Sequence, residues 1–164
     1  MTTTTTKIKT ITHFEILATA AVVSSSKTQY LLPNINTTSP SYQEFYLSTS
    51  LPNDGSAVYT LTTGYLTTFK GEITEQDPDA TSEWVYTDPL SVVEANGFIP
   101  ISFIVDEVSL AVTAKNTQSG DAVLQVCYQG GGKVAYLNLA AVEGTAENGT
   151  GEACYPVSLK AKPV

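Results

Sequence analysis

Three short segments in the second half of the chain constrain the fold most, because apolar and polar residues alternate in them. Alternation with a period of two places apolar side chains on one face of a β-strand. The segments are "EVSLAVTA" (107–114), "AVLQVCYQ" (122–129) and "VAYLNLA" (134–140), and polar, glycine-containing turns separate them. Because such short turns join antiparallel strands, the segments predict an antiparallel meander. The residues predicted to share its apolar faces are Val108, Leu110, Val112, Leu124, Val126 and Tyr128.

The rest of the chain consists of shorter apolar segments separated by turn-forming residues. They include "TQYLL", "YQEFYLS", "AVYTLTT", "YLTTF", "EWVYT" and "FIPISFIVD". Only 15% of the residues are charged, against about 25% in average domains, so β-branched threonine supplies much of the polar surface and favours strands. We therefore predict an all-β fold, an antiparallel β-sandwich or jelly roll with an extended N-terminal arm and at most one short helix. The helix is expected over residues 88–97, where Asp88 would cap it, Pro89 would begin it and Gly97 would end it.

The first twelve residues, "MTTTTTKIKTIT", differ from the rest because they offer no apolar face. Threonine favours extended backbone over helix, which predicts an extended arm. We therefore divide the chain into an assembly arm, residues 1–12, and a single β-sandwich domain, residues 13–164, which is long enough for one hydrophobic core. A frayed terminus is the alternative to an arm that binds another subunit. The residues predicted to make the assembly contact are Thr2, Thr3, Thr4, Thr5, Thr6, Lys7, Ile8, Lys9 and Ile11.

The charge pattern bears on the partners of the chain. Its net charge is −8 and it contains no arginine. An acidic surface repels a polyanion, and arginine is the main reader of phosphate and guanine, so we expect no nucleic-acid partner. Lysines lie near the two ends of the chain, whereas its middle is acidic. This acidic stretch comprises Glu72, Glu75, Asp77, Asp79, Glu83, Asp88 and Glu94. It predicts either a solvated loop or a patch that meets the basic ends of a neighbouring subunit.

Residues that could carry catalysis are few. Hydrolysis by a serine or cysteine triad needs a histidine base, and the single histidine, His13, lies beside the arm. The zinc-binding spacings of histidine and cysteine do not occur. Calcium is the one metal that a sequence segment suggests, because Asp77, Asp79 and Glu83 place three oxygen donors in one loop. We therefore predict a protein that is not an enzyme and holds no cofactor.

The two cysteines and the apolar segment after the arm bear on location. Cys127 and Cys154 permit one disulfide, and two reduced thiols are the alternative. The segment "ILATAAVVSSS" imitates a signal peptide, but His13 and Glu15 interrupt its start. No run approaches the roughly 20 apolar residues of a membrane span, so we expect no membrane partner.

In overall style, the threonine-rich segment "MTTTTTKIKTIT" and the predicted meander resemble the virion proteins of tailed bacteriophages, and most of all the head decoration (cement) proteins. These are small β-rich domains that clamp capsid subunits with extended termini. The resemblance implies a structural subunit of the virion that is made in the host cytoplasm and binds the capsid shell and its own copies.

Two other functions fit the same features, and an extracellular location is the alternative to the virion. One is a homo-oligomeric tube or pilus-like filament, in which the arm would pair with a neighbouring subunit. The other is a carbohydrate-binding, lectin-like module, in which aromatic residues of "EFYLS" and "EWVY" would form a platform for sugars.

Overall fold

The computed structural model describes residues 12–20, 28–34, 43–62, 64–76, 82–116, 120–121, 123–128, 135–140 and 153–164. Antiparallel strands and one short helix make up the regular structure of these residues, so the predicted all-β class is confirmed. None of the helical structure described is long and apolar enough to cross a membrane. The elements are β1 (His13–Ala20), β2 (Gln29–Pro33), β3 (Gln43–Ser48), β4 (Tyr59–Thr62), β5 (Tyr65–Thr67), β6 (Ile73–Gln76), β7 (Ser82–Trp84), β8 (Tyr86–Asp88), α1 (Leu90–Asn96), β9 (Ile99–Pro100), β10 (Ser102–Val105), β11 (Ala111–Asn116), β12 (Gly120–Asp121), β13 (Val123–Tyr128), β14 (Ala135–Ala140) and β15 (Cys154–Pro163).

The first and last strands pair with each other and form the centre of the sheet. β1 runs antiparallel to β15 from Phe14, opposite Pro163, to Ala20, opposite Val157. The pairing closes on itself in two circuits that share these strands. One circuit runs β1–β2–β3–β14–β13–β15. The other runs β1–β4–β5–β10–β11–β15, and closure of this kind leaves few free strand edges.

Side chains of β1 and β15 alternate between a buried inner face and an outer face. In β1 the buried residues are Phe14, Ile16, Ala18 and Ala20. In β15 they are Val157, Leu159 and Ala161. Both sets belong to one hydrophobic cluster, to which both circuits contribute, with Phe45 and Leu137 from one and Tyr59 and Phe103 from the other. The central strand pair therefore organises a single core.

The predicted meander is correct for β13 and β14 and wrong for β11. β13 pairs with β14 over six residues, from Val123 opposite Ala140 to Tyr128 opposite Ala135. β11, however, pairs with β10 and β15 rather than with β13. β15 lies between them because Cys154 to Pro156 pair with β13, whereas Leu159 and Lys160 pair with β11.

The strand that contains Val112 starts later than its alternation predicts. The Asp106 carboxylate accepts hydrogen bonds from the Ser109 amide at 2.6 Å and the Ser109 hydroxyl at 2.7 Å, and this closes a turn before β11. Within the turn Val108 is 95% exposed. Leu110 follows with φ of 63°, a backbone conformation that is uncommon outside glycine, and is partly buried against the core. The prediction that Val108 faces the core is therefore wrong.

The predicted helix is present as α1, but its start differs from the prediction. Pro89 takes the position before the helix, and no side chain caps the first turn. Asp88 belongs to β8 and is only 3% exposed, so it does not act as the cap. Gly97 ends the helix with φ of 71°, as expected of a glycine after the last turn.

Replacing Leu124 with alanine is expected to lower the free energy of unfolding by about 2–5 kcal/mol, through lost burial and the cavity left behind. Leu124 is in the core cluster, opposite Leu139 of β14. Urea unfolding measures the effect. Val108→Ala is the control, and its effect should stay within about 0.5 kcal/mol because the side chain meets solvent. Equal effects of the two changes would contradict this register.

Candidate assembly site

The predicted arm joins the domain at the start of β1. The arm residues Thr2 to Thr6, Lys7, Ile8, Lys9 and Ile11 lie outside the described residues. At the junction, His13 is opposite Thr60 of β4, and the Val164 amide donates a hydrogen bond to the His13 carbonyl at 3.3 Å. β1 therefore has partners on both of its edges at the point where the arm begins.

Three lysines lie on the outer face of the sheet near this strand pair. Lys160 is opposite Ala111, so alternation along β11 and β15 places Lys115, Lys160 and Lys162 on the same face. We call these three residues the lysine face. The Lys162 ammonium group donates a hydrogen bond to the Glu15 carboxylate at 2.9 Å, which raises the pKa of Lys162. Lys115 and Lys160 are exposed to solvent.

The acidic stretch does not form the continuous surface patch that its sequence suggests. Asp77, Asp79 and the Glu83 side chain lie outside the described part. Glu94 is exposed on α1, and Glu72 accepts a hydrogen bond from the Thr87 hydroxyl at 3.3 Å. Glu75 and Asp88, in contrast, are 0% and 3% exposed. The prediction of a surface position is wrong for these two residues, because both lie in strands that are buried on both faces.

Glu75 and Asp88 form a buried carboxyl pair. Ile73 is opposite Asp88 and Glu75 is opposite Tyr86, so both acidic side chains are on the same face of the β6–β8 ladder. Neither Glu75 oxygen has a hydrogen-bond partner of good geometry. Burial, followed by the neighbouring Asp88 carboxyl, raises the pKa of Glu75 to about 8, and burial also raises the pKa of Asp88. At neutral pH the pair therefore holds a proton, for which the sequence carried no signal.

The two cysteines are brought together by the pairing of β13 with β15. Cys127 is directly opposite Cys154, and the two residues form a disulfide across the strands. Cys127 is 1% exposed and Cys154 is half-buried. The disulfide ties β15, at the centre of the sheet, to the β13–β14 hairpin.

Two of the aromatic side chains of the predicted sugar platform, Phe45 and Trp84, are buried, whereas Tyr46 and Tyr86 are half-buried. Trp84 is 4% exposed and packs edge-on against Tyr136, with ring centroids 6.3 Å apart. Phe45 is fully buried. Tyr46 lines a crevice of about 310 Å³ together with Ser48, Ser50 and Ser56. The Ser48 hydroxyl donates a hydrogen bond to the Ser50 carbonyl at 3.0 Å. This hydroxyl proton is therefore already engaged within the loop and does not point to a ligand.

Comparison with protein-family models, with curated proteins and with solved structures finds no match to this chain. Among the residues described, no group of three or more histidine, cysteine, aspartate or glutamate side chains is placed to hold a metal ion. The function is therefore argued from the contacts and charges of the chain itself.

Proposed function

We propose that this protein is a non-enzymatic structural subunit of a virion, a capsid decoration protein that binds the capsid shell and its own copies through its N-terminal arm. The observation that carries the proposal is the pairing of the strand that follows residues 1–12. This strand, β1, is paired on both edges at His13 and Phe14.

An arm attached in this way is held by the centre of the domain rather than by a surface loop. Phe14 is fully buried one residue after the junction, and β1 and β15 pair over seven residues. A force that an assembly contact exerts on the arm therefore acts on β1, which a long antiparallel ladder and the core hold in place. Strand addition by the arm to another subunit would satisfy backbone groups on both partners and would tolerate a repetitive threonine sequence.

Charge supplies a second contribution to the proposed contact. Lys7 and Lys9 are in the arm, and the lysine face lies on β15, which pairs with β1, and on β11, which pairs with β15. The net charge of the chain is −8, so exposed acidic side chains of another copy, such as Glu94, are available as partners. Attraction between such surfaces weakens as the screening length falls from ~10 Å at 0.1 M salt to ~3 Å at 1 M.

A tube or pilus-like filament is the second candidate, since the same attachment of the arm favours it equally. Electron microscopy of the purified protein distinguishes the two assemblies. Discrete small oligomers that bind capsids fit decoration, whereas long fibres fit a filament.

Deleting residues 2–11 is expected to abolish or sharply weaken assembly while leaving the thermal unfolding of the domain nearly unchanged. The deletion keeps Thr12, whose hydroxyl lies 3.1 Å from His13 Nδ1, and it removes no strand described here. Sedimentation velocity measures the assembly, and calorimetry measures the unfolding.

A matched variant measures the electrostatic contribution to the assembly contact. Lys7→Gln combined with Lys9→Gln keeps the arm length and should weaken assembly most at low salt. For the protein that lacks residues 2–11, two results would overturn the proposal: assembly with full affinity, or loss of the folded domain.

A further inference from the structure

We propose that Glu75 and Asp88 act as a pH-sensitive pair that keeps the β6–β8–β9 edge of the sheet closed while they share a proton, and loosens that edge when the proton leaves. The proposal concerns a feature separate from the arm and does not depend on the proposed function.

The pair is buried from solvent, and no cation lies beside it among the residues that the structure describes. Glu75 is 0% exposed and Asp88 is 3% exposed. The residues beside Glu75 on its two neighbouring strands are Tyr86 on β8 and Pro100 on β9. Within the described part of the chain, burial and the Asp88 carboxyl act on the Glu75 carboxyl, and no cation does. A buried carboxylate without a cation or sufficient hydrogen bonds is unstable, so the pair retains a proton.

The titratable groups on the surrounding elements do not offer a replacement for that proton. β8 carries Tyr86 and Asp88, β5 carries Tyr65, β9 has none, and β3, which pairs with β8, carries Glu44 and Tyr46. Glu72, just before β6, and Glu94, on α1, are acidic and would add repulsion. The nearest lysine in sequence, Lys70, lies over the exposed Phe69 ring, 5.7 Å from its centroid.

The proton belongs to the pair and not to one residue. Burial raises the pKa of both carboxyls, and the two carboxyls titrate together, so the pair holds one proton between them at neutral pH. Loss of that proton leaves two negative charges in one buried site. Like charges of this kind repel strongly because little solvent screens them.

The direction of the pH effect follows from linkage. The unperturbed pKa is 4.5 and the folded value is about 8, so the closed state holds a proton that the open state gives up. The closed state is therefore favoured fully below about pH 4.5 and loses its advantage as the pH rises to about 8. Above that value both states are ionised and no further change is expected.

Opening would be local because this edge is attached by short ladders. β6 pairs with β8 at three positions, with β9 at two and with β5 at one. β9 ends the strand order of the sheet. Short ladders at an edge open at lower free energy than the central β1–β15 pair, which spans seven positions.

Hydrogen–deuterium exchange of the whole protein at pH 6 and pH 9, corrected for the intrinsic rate at each pH, tests the proposal. In the wild type, protection of amides in residues 73–76 and 86–88 should fall by at least about tenfold, as release of one proton allows. Amides of β13 and β14 should keep their protection. Glu75→Gln, which is neutral at both pH values, should remove the pH effect, whereas the exposed control Glu94→Gln should retain it.

Asp88→Asn provides a second variant should Glu75→Gln fail to fold, and it should also reduce the loss of protection. An equal loss in the wild type and in the Glu75→Gln protein would overturn the proposal, as would no loss in the wild type. Recovery of protection at pH 9 on adding millimolar calcium to the wild type would also overturn it, because the pair would then be a cation site rather than a proton site.

Discussion

Replacing Phe14 with alanine is expected to lower the free energy of unfolding by about 3–5 kcal/mol, the range for truncating a buried phenylalanine. Phe14 is 0% exposed and lies where β1 has partners on both sides, opposite Pro163 of β15 and Tyr59 of β4. Strands of both circuits surround the site, so they cannot collapse into the space without breaking one of the ladders. Urea unfolding followed by circular dichroism measures the loss.

Leu17→Ala is the matched control for this change, since it truncates an aliphatic side chain in the same strand. Leu17 is on the outer face, opposite Lys160, and is half-buried. Its truncation should cost clearly less, about 1 kcal/mol, because less apolar surface returns to water. A Phe14→Ala protein as stable as the Leu17→Ala protein would mean that β1 has the opposite register.

The period-two alternation that identifies β1 and β15 is present in the sequence. In β1, His13, Glu15, Leu17 and Thr19 alternate with the buried Phe14, Ile16, Ala18 and Ala20. In β15 the exposed Lys160 and Lys162 alternate with the buried Leu159 and Ala161. The apolar run after Ile16 also imitates a signal peptide, which obscured the strand. The all-β class and the helix could be predicted because local patterns determine them.

Two kinds of feature could not be predicted: those that depend on distant residues, and local side-chain hydrogen bonds that compete with the apolar alternation. The insertion of β15 between β11 and β13 joins segments far apart in the chain, and no local turn specifies it. The turn at Asp106 overrides the alternation of Val108 and Leu110 through hydrogen bonds to Ser109. Acidic residues are almost always exposed unless they are paired. The residue types of Glu75 and Asp88 therefore predicted exposed positions, and their burial could not be foreseen. The assembly role of the arm stays a prediction.

Reducing the disulfide between Cys127 and Cys154 is expected to lower the free energy of unfolding by about 3–4 kcal/mol. The cross-linked residues are 27 apart in sequence, and a loop of that length restricts the unfolded chain by about this amount in the chain-entropy model. The folded state should change little, because β13 and β15 remain paired at Gln125 and Val126 beside the bridge, and the Tyr128 amide still donates a hydrogen bond to the Ala153 carbonyl. Urea unfolding with and without a thiol reductant measures the difference.

A variant with both cysteines replaced by alanine separates the cross-link from the packing of the sulfur atoms. Its stability should not respond to reductant, and it should lie somewhat below that of the reduced wild type because Cys127 is buried in a space that alanine does not fill. A reduced wild type as stable as the oxidised protein would show that the bridge adds no stability.

The reduced form matters for the proposed virion role. A subunit made in a host cytoplasm meets an environment that keeps thiols reduced, so it must fold on its core and ladders alone. It would gain the cross-link after release into an oxidising medium. We therefore expect the reduced protein to remain folded at 25 °C, with a cooperative transition at lower urea concentration. A reduced protein that is already unfolded without urea would argue against synthesis in a cytoplasm and for the extracellular alternative.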